Sequence, residues 1–150
     1  MKKIVLGALM TMIVSSISQA HDEGHGPKVT DSGKYGGILA SVVLKADAAK
    51  GTQAAMLHKA ELVRSTDGTV RLYIYDVAMK PMDLKGFDGK AKATLFGGSK
   101  GKKQNSEFLM EQKEGVFQGK MPKVIAAPYS IDVTLKASGK DLLVAFDNLD

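Results

Sequence analysis

The 150-residue chain has no cysteine, no tryptophan, four prolines, and only two arginines among its 21 basic residues. Each shortage excludes something. Without cysteine there is no disulfide, even where the compartment would permit one, and no thiol to carry a lipid at a processed N-terminus. Stability has to come from packing. Arg64 and Arg71 are the only planar forks of the kind that grip phosphates and base edges. Aromatic residues make up 6% of the chain and are not interleaved with the lysines, as single-strand binders require. Nucleic-acid binding is therefore not expected, and the cluster Lys100, Lys102 and Lys103 reads as a solvated loop beside Gly98 and Gly101. Enzyme signatures are missing as well. There is no Gly-x-Ser-x-Gly elbow, no His-Glu-x-x-His pair and no phosphate-cradling Gly-Lys-Ser/Thr loop. Asp83 and Asp88 sit in turn-rich sequence, and catalysis is not expected.

Long apolar runs are also scarce, with one exception at the start. Lys2 and Lys3 precede an apolar stretch from Ile4 to Val14, followed by Ser18-Gln19-Ala20. A basic head, a short greasy middle and a small-x-small end predict a cleaved signal peptide over residues 1–20. The stretch is shorter than the roughly 20 residues needed to cross a bilayer. The expected mature protein is periplasmic, free of lipid, without a membrane span, and runs from His21 to Asp150. Losing Lys2 and Lys3 takes the formal charge from +5 to +3.

Residues 21–35 hold Gly24, Gly26, Pro27 and Gly33 but no apolar period, and predict a flexible His/Gly arm. From residue 36 to 150 the pattern has period two. Ile38, Ala40, Val42 and Leu44 alternate with their neighbours, as do Met56, His58, Ala60 and Leu62. Asp67-Gly68 sits between two alternating runs, which predicts a tight hairpin into Val70, Leu72 and Ile74. Further runs follow at Ala91–Leu95, at Phe108 and Met110, at Val116–Gln118, at Ile131–Leu135 and at Leu142–Phe146. About seven or eight short strands without a persuasive helix predict an all-β domain, an antiparallel immunoglobulin-like sandwich. Tyr129, near the start of a late strand, suits either a tyrosine corner or an ordinary half-buried tyrosine.

The chain has three histidines, His21, His25 and His58. Cleavage after Ala20 would make His21 the first residue. Its α-amine and imidazole would then chelate one ion together, since an amine of pKa near 8 gives up its proton readily to a metal. Asp22 or Glu23, and His25, could add oxygen and nitrogen donors. Such a set suits Cu(II) most strongly, with zinc or nickel as alternatives. The competing reading is a polar leader with incidental histidines. His58 lies in a strand, in phase with apolar residues, and is either structural or a further ligand reached by the arm. Met79 and Met82 are either soft donors or fillers at the end of a core.

Together, the His/Gly leader, Lys34-Tyr35-Gly36-Gly37, the stretch from His58 to Asp76, Gly119-Lys120, Tyr129–Val133 and Ala145-Phe146 carry a resemblance. The chain resembles small periplasmic β-sandwich proteins of the YtkA-like kind and the heavy-metal-associated N-terminal domain of metal-efflux adaptor proteins. It is also similar to the CopC type, which uses an N-terminal histidine as a ligand, although the later Asp-x-His motif of that type is missing. The resemblance implies copper or other heavy-metal handling, with an envelope efflux or delivery protein as partner. The second reading is a non-metal interaction module. Its docking patch would be Tyr73 and Tyr75 beside Arg71.

Overall fold

The computed structural model describes residues 26–97 and 104–150. Eight strands form, each where the sequence alternates: β1 Ile38–Leu44, β2 His58–Arg64, β3 Thr69–Tyr75, β4 Lys90–Gly97, β5 Gln104–Lys113, β6 Val116–Lys120, β7 Tyr129–Ala137 and β8 Lys140–Leu149. Among the described residues the only helical pieces are 3₁₀ turns at Lys45–Gln53 and Leu84–Gly86. No helix among the described residues is long and apolar enough to cross a membrane.

The strands do not divide into the two packed sheets of the expected sandwich. They close into one barrel in the order β1-β2-β3-β6-β5-β4-β7-β8, and every neighbouring pair is antiparallel. The reason is connectivity. A period of two says which side of a strand is apolar, but not which strand lies beside it. Three meander units are joined by two long crossings, residues 76–89 and 121–128. These bring β4 against β7 and β6 against β3, and β8 returns to β1. Closure removes the free edges on which stray strands would pair.

The first hairpin forms as the sequence predicts. Gly68 takes φ +82°, its N–H bonds the Ser65 carbonyl, and Ser65 and Thr69 bond across the turn. Asp67 ties the same turn down. Its carboxylate accepts from the Thr69 N–H at 2.9 Å and from Lys120 Nζ at 2.8 Å. These donors hold its pKa well below the usual carboxylate range.

The barrel interior is filled. Val42, Ala60, Leu62, Val70, Leu72, Leu95, Met110, Phe117, Ile131, Val133 and Phe146 are each 1% exposed or less and belong to one cluster. Burying a side chain of this size is worth about 1.5–3 kcal/mol. Because neighbours alternate in direction, the connections fall at two ends. The β1–β2, β3–β4, β5–β6 and β7–β8 links share one end, here called upper. The β2–β3 and β6–β7 links share the other.

Tyr129 closes the lower end from inside. Its hydroxyl accepts from the Arg64 guanidinium, which also bonds the Asp150 carbonyl at 3.0 Å. Its partner is thus a side chain, not the backbone atom of a tyrosine corner.

Candidate functional site

Residues on β2 alternate as the sequence requires. Ala60 and Leu62 point inward, so Lys59 and Glu61 point outward and would ordinarily meet water. Instead Glu61 is fully buried and Lys59 is 9% exposed. The cover is the chain's own residues 26–37, which run back over the outer faces of β1, β2 and β3 as a strap.

One carboxylate gathers that strap. Glu61 accepts the backbone N–H groups of Lys34, Tyr35 and Gly37 at 2.9, 2.8 and 2.8 Å. It also accepts the Tyr75 hydroxyl at 2.7 Å. Burial alone would raise its pKa, but the four donors outweigh burial and hold it below the ordinary carboxylate value. Tyr75 moves the other way. Burial and the adjacent Glu61 charge both push its phenol up, so it stays a donor.

Lys59 makes the second anchor. Its ammonium bonds Asp31 at 2.6 Å and the Val77 carbonyl at 2.7 Å, and that bond to Lys59 lowers the Asp31 pKa. Aromatic packing completes the contact. Tyr35 stacks on Tyr73 with centroids 4.1 Å apart, and Lys34 Nζ lies 5.4 Å from the Tyr75 ring centre. Gly37 sits so close to β2 that a Cβ there would run into the Leu62 carbonyl.

This geometry corrects one expectation. Tyr73 and Tyr75 are not a bare docking patch, because Tyr75 is 1% exposed and Tyr73 lies under Tyr35. Arg71 on the same face bonds Gln118 at 3.2 Å.

Of the expected metal ligands, His21, Asp22 and His25 lie outside the described residues, as does most of the lysine loop. His58 is the first residue of β2, at the upper end, half-buried and in phase with the core. Its ring is 6.0 Å from that of Phe87. Burial lowers its pKa below the ordinary 6.5, and the charge of Asp76 only partly opposes this, so the imidazole is neutral at pH 7. Among the described residues no three His, Asp or Glu side chains gather in a way that could hold an ion. Met82 packs against the core and its N–H bonds the Ile74 carbonyl, while Met79 takes φ +64° in the tight turn before it. The placement of Met82 is the filler reading.

Two clefts on the described barrel surface stand out. One, of about 310 Å³, lies over β5 and β6 beside Lys120. The other, of about 450 Å³, lies where β1 and β8 part. These strands pair only at Val42–Leu44, and below that level Leu39, Ser41, Ala145 and Asp147 line the cleft with Pro27 and Val29 of the strap.

No motif or spacing marks Asp31, Lys59 and Glu61 as a group. The one available signal was the glycine pair Gly36-Gly37 at the junction of arm and sheet. No family model, curated protein or solved structure matches the chain.

Proposed function

We propose that the protein is an exported, periplasmic metal-binding protein that buffers or delivers copper through a processed N-terminal histidine. Cleavage after Ala20 frees the His21 α-amine, and amine and imidazole of one residue clasp the ion. His25 and Asp22 add donors.

The observation that carries the reading is where the strap begins. Gly26 is buried against Ser41 and Val43 on β1, with no room for a side chain of its own. Val42, between those two residues, is paired in register with His58. The chain thus enters the described structure beside the strand end that carries the one remaining histidine. Five residues span at most about 17 Å when extended, at roughly 3.3–3.6 Å each, a length that suits a reach to His58 over the barrel rim. A neutral imidazole is the form that binds metal, so the depressed pKa of His58 favours a place for it as an added ligand.

The test is titration of Cu(II) into the mature protein. A d–d absorption band should grow to one equivalent, and it should weaken when a single extra residue precedes His21. His58→Ala should weaken binding without abolishing it. A native polypeptide that begins elsewhere, or a band indifferent to the added residue, refutes the reading.

A further inference from the structure

The strap is held in an unusual manner for a segment that leads into a sheet. Among the described residues no backbone-to-backbone hydrogen bond joins residues 26–37 to the barrel. Among the described residues, the hydrogen bonds that hold Asp31–Gly37 are made by the barrel side chains Glu61 and Lys59. Glu61 takes three main-chain N–H groups, a contact that reads a curled backbone and not its side chains. Lys59 reads the carboxylate of Asp31. Tyr73 stacks with an aromatic ring, and Tyr75 lies beneath a cation. The Leu62 carbonyl admits only glycine at the last position. These are the elements of a peptide-recognition surface: charge complementarity, an aromatic platform, main-chain capture and a steric filter.

We propose that the outer face of β2 and β3 is a peptide-binding site, filled in cis by the chain's own Asp31–Gly37. The ligand it selects in trans is a partner segment of the same chemistry. Such a segment has an acidic residue, a basic residue three positions on, an aromatic next to that, and glycine two further on. Occupation in cis makes the site self-inhibited. A tethered segment acts at an effective concentration in the mM range, so a free peptide competes only at a comparable concentration or when the tethered copy is weakened. Lys59 supplies the strongest discrimination. It is nearly buried, so a segment lacking the carboxylate leaves its charge with one carbonyl for company. The proposal does not depend on the metal reading, since no histidine takes part.

The test uses the full-length mature protein and a synthetic peptide of residues 29–37, capped at both ends. The double variant Asp31→Ala/Tyr35→Ala keeps the barrel face and weakens the tethered strap. The dye-labelled peptide should bind this variant at least about tenfold more tightly than the wild type, because the cis competitor is weakened. A peptide carrying Gly37→Ala should lose that binding. Equal binding to variant and wild type, no binding to a variant that keeps its β circular dichroism, or full binding of the Gly37→Ala peptide overturns the proposal. If the variant does not fold, the wild type serves. Excess peptide, on the order of 10 mM to match the tether, should speed hydrogen exchange at the amides of Lys34, Tyr35 and Gly37. Unchanged exchange at that concentration overturns the proposal equally.

Discussion

Replacing Glu61 with alanine removes the acceptor for four donors at once: three strap N–H groups and the Tyr75 hydroxyl. Hydrogen bonds to a charged partner contribute about 1.5–3 kcal/mol each, but the exposed strap donors recover water when the strap lifts. The Tyr75 hydroxyl and the Lys59 charge lie under that strap and lose their shelter with it. The expected cost is about 3–5 kcal/mol, the range for breaking a buried charged contact. Glutamine discriminates between loss of charge and loss of shape. Its amide NH2 fits best where Oε2 now meets Lys34 and Tyr75, because the phenol can turn and accept. Lys34 then faces a donor and loses its bond. Glu61→Gln should therefore cost about 1–3 kcal/mol, less than alanine. Tyr75→Phe, which deletes one donor, should cost about 1 kcal/mol. Urea denaturation followed by circular dichroism measures all three. At a slope of about 1.5 kcal/mol per molar, alanine should lower the midpoint by about 2–3 M. An alanine midpoint within about 0.3 M of wild type would show that the strap adds nothing to stability and would refute the reasoning.

Further outcomes follow from the same contacts. Because the folded-state pKa of Glu61 lies below its ordinary value near 4.5, its contribution is fully present above that pH. It is lost as pH falls through the folded value, so acid titration should release the strap, seen as faster exchange at residues 34–37, a change that Glu61→Gln should blunt. His58 should titrate below 6.5 by nuclear magnetic resonance, since burial disfavours its charged form; a value above 6.5 would contradict its half-buried place. Gly37→Ala should destabilise the folded chain by about 1–3 kcal/mol in urea, because the Leu62 carbonyl is backbone and cannot swing aside. Leu72→Ala, at a fully buried position, should cost about 2–5 kcal/mol in the same assay.

How much of this was legible beforehand differs from residue to residue. Val70, Leu72 and Ile74 alternate with polar or aromatic neighbours, and they face the core as that pattern demands. Asp67-Gly68 marked its turn because tight hairpins need a residue that tolerates positive φ. All eight strands lie where alternation put them, since period two is a local property of the backbone. The pairing of those strands is not local. Nothing in β1 names β8 as its neighbour, so the alternation that suits a sandwich equally suits the barrel that forms.

The outer face shows the same divide more sharply. Alternation correctly turned Lys59, Glu61, Tyr73 and Tyr75 away from the core, and for a one-layer view that meant water. What lies over them is a segment roughly 25 to 40 residues away in sequence, with no apolar period to announce it. Hydrophobic rhythm records which side of a strand avoids solvent within its own few residues. It carries no record of a polar strap, whose hold depends on donors and acceptors that meet only once the chain has folded back on itself.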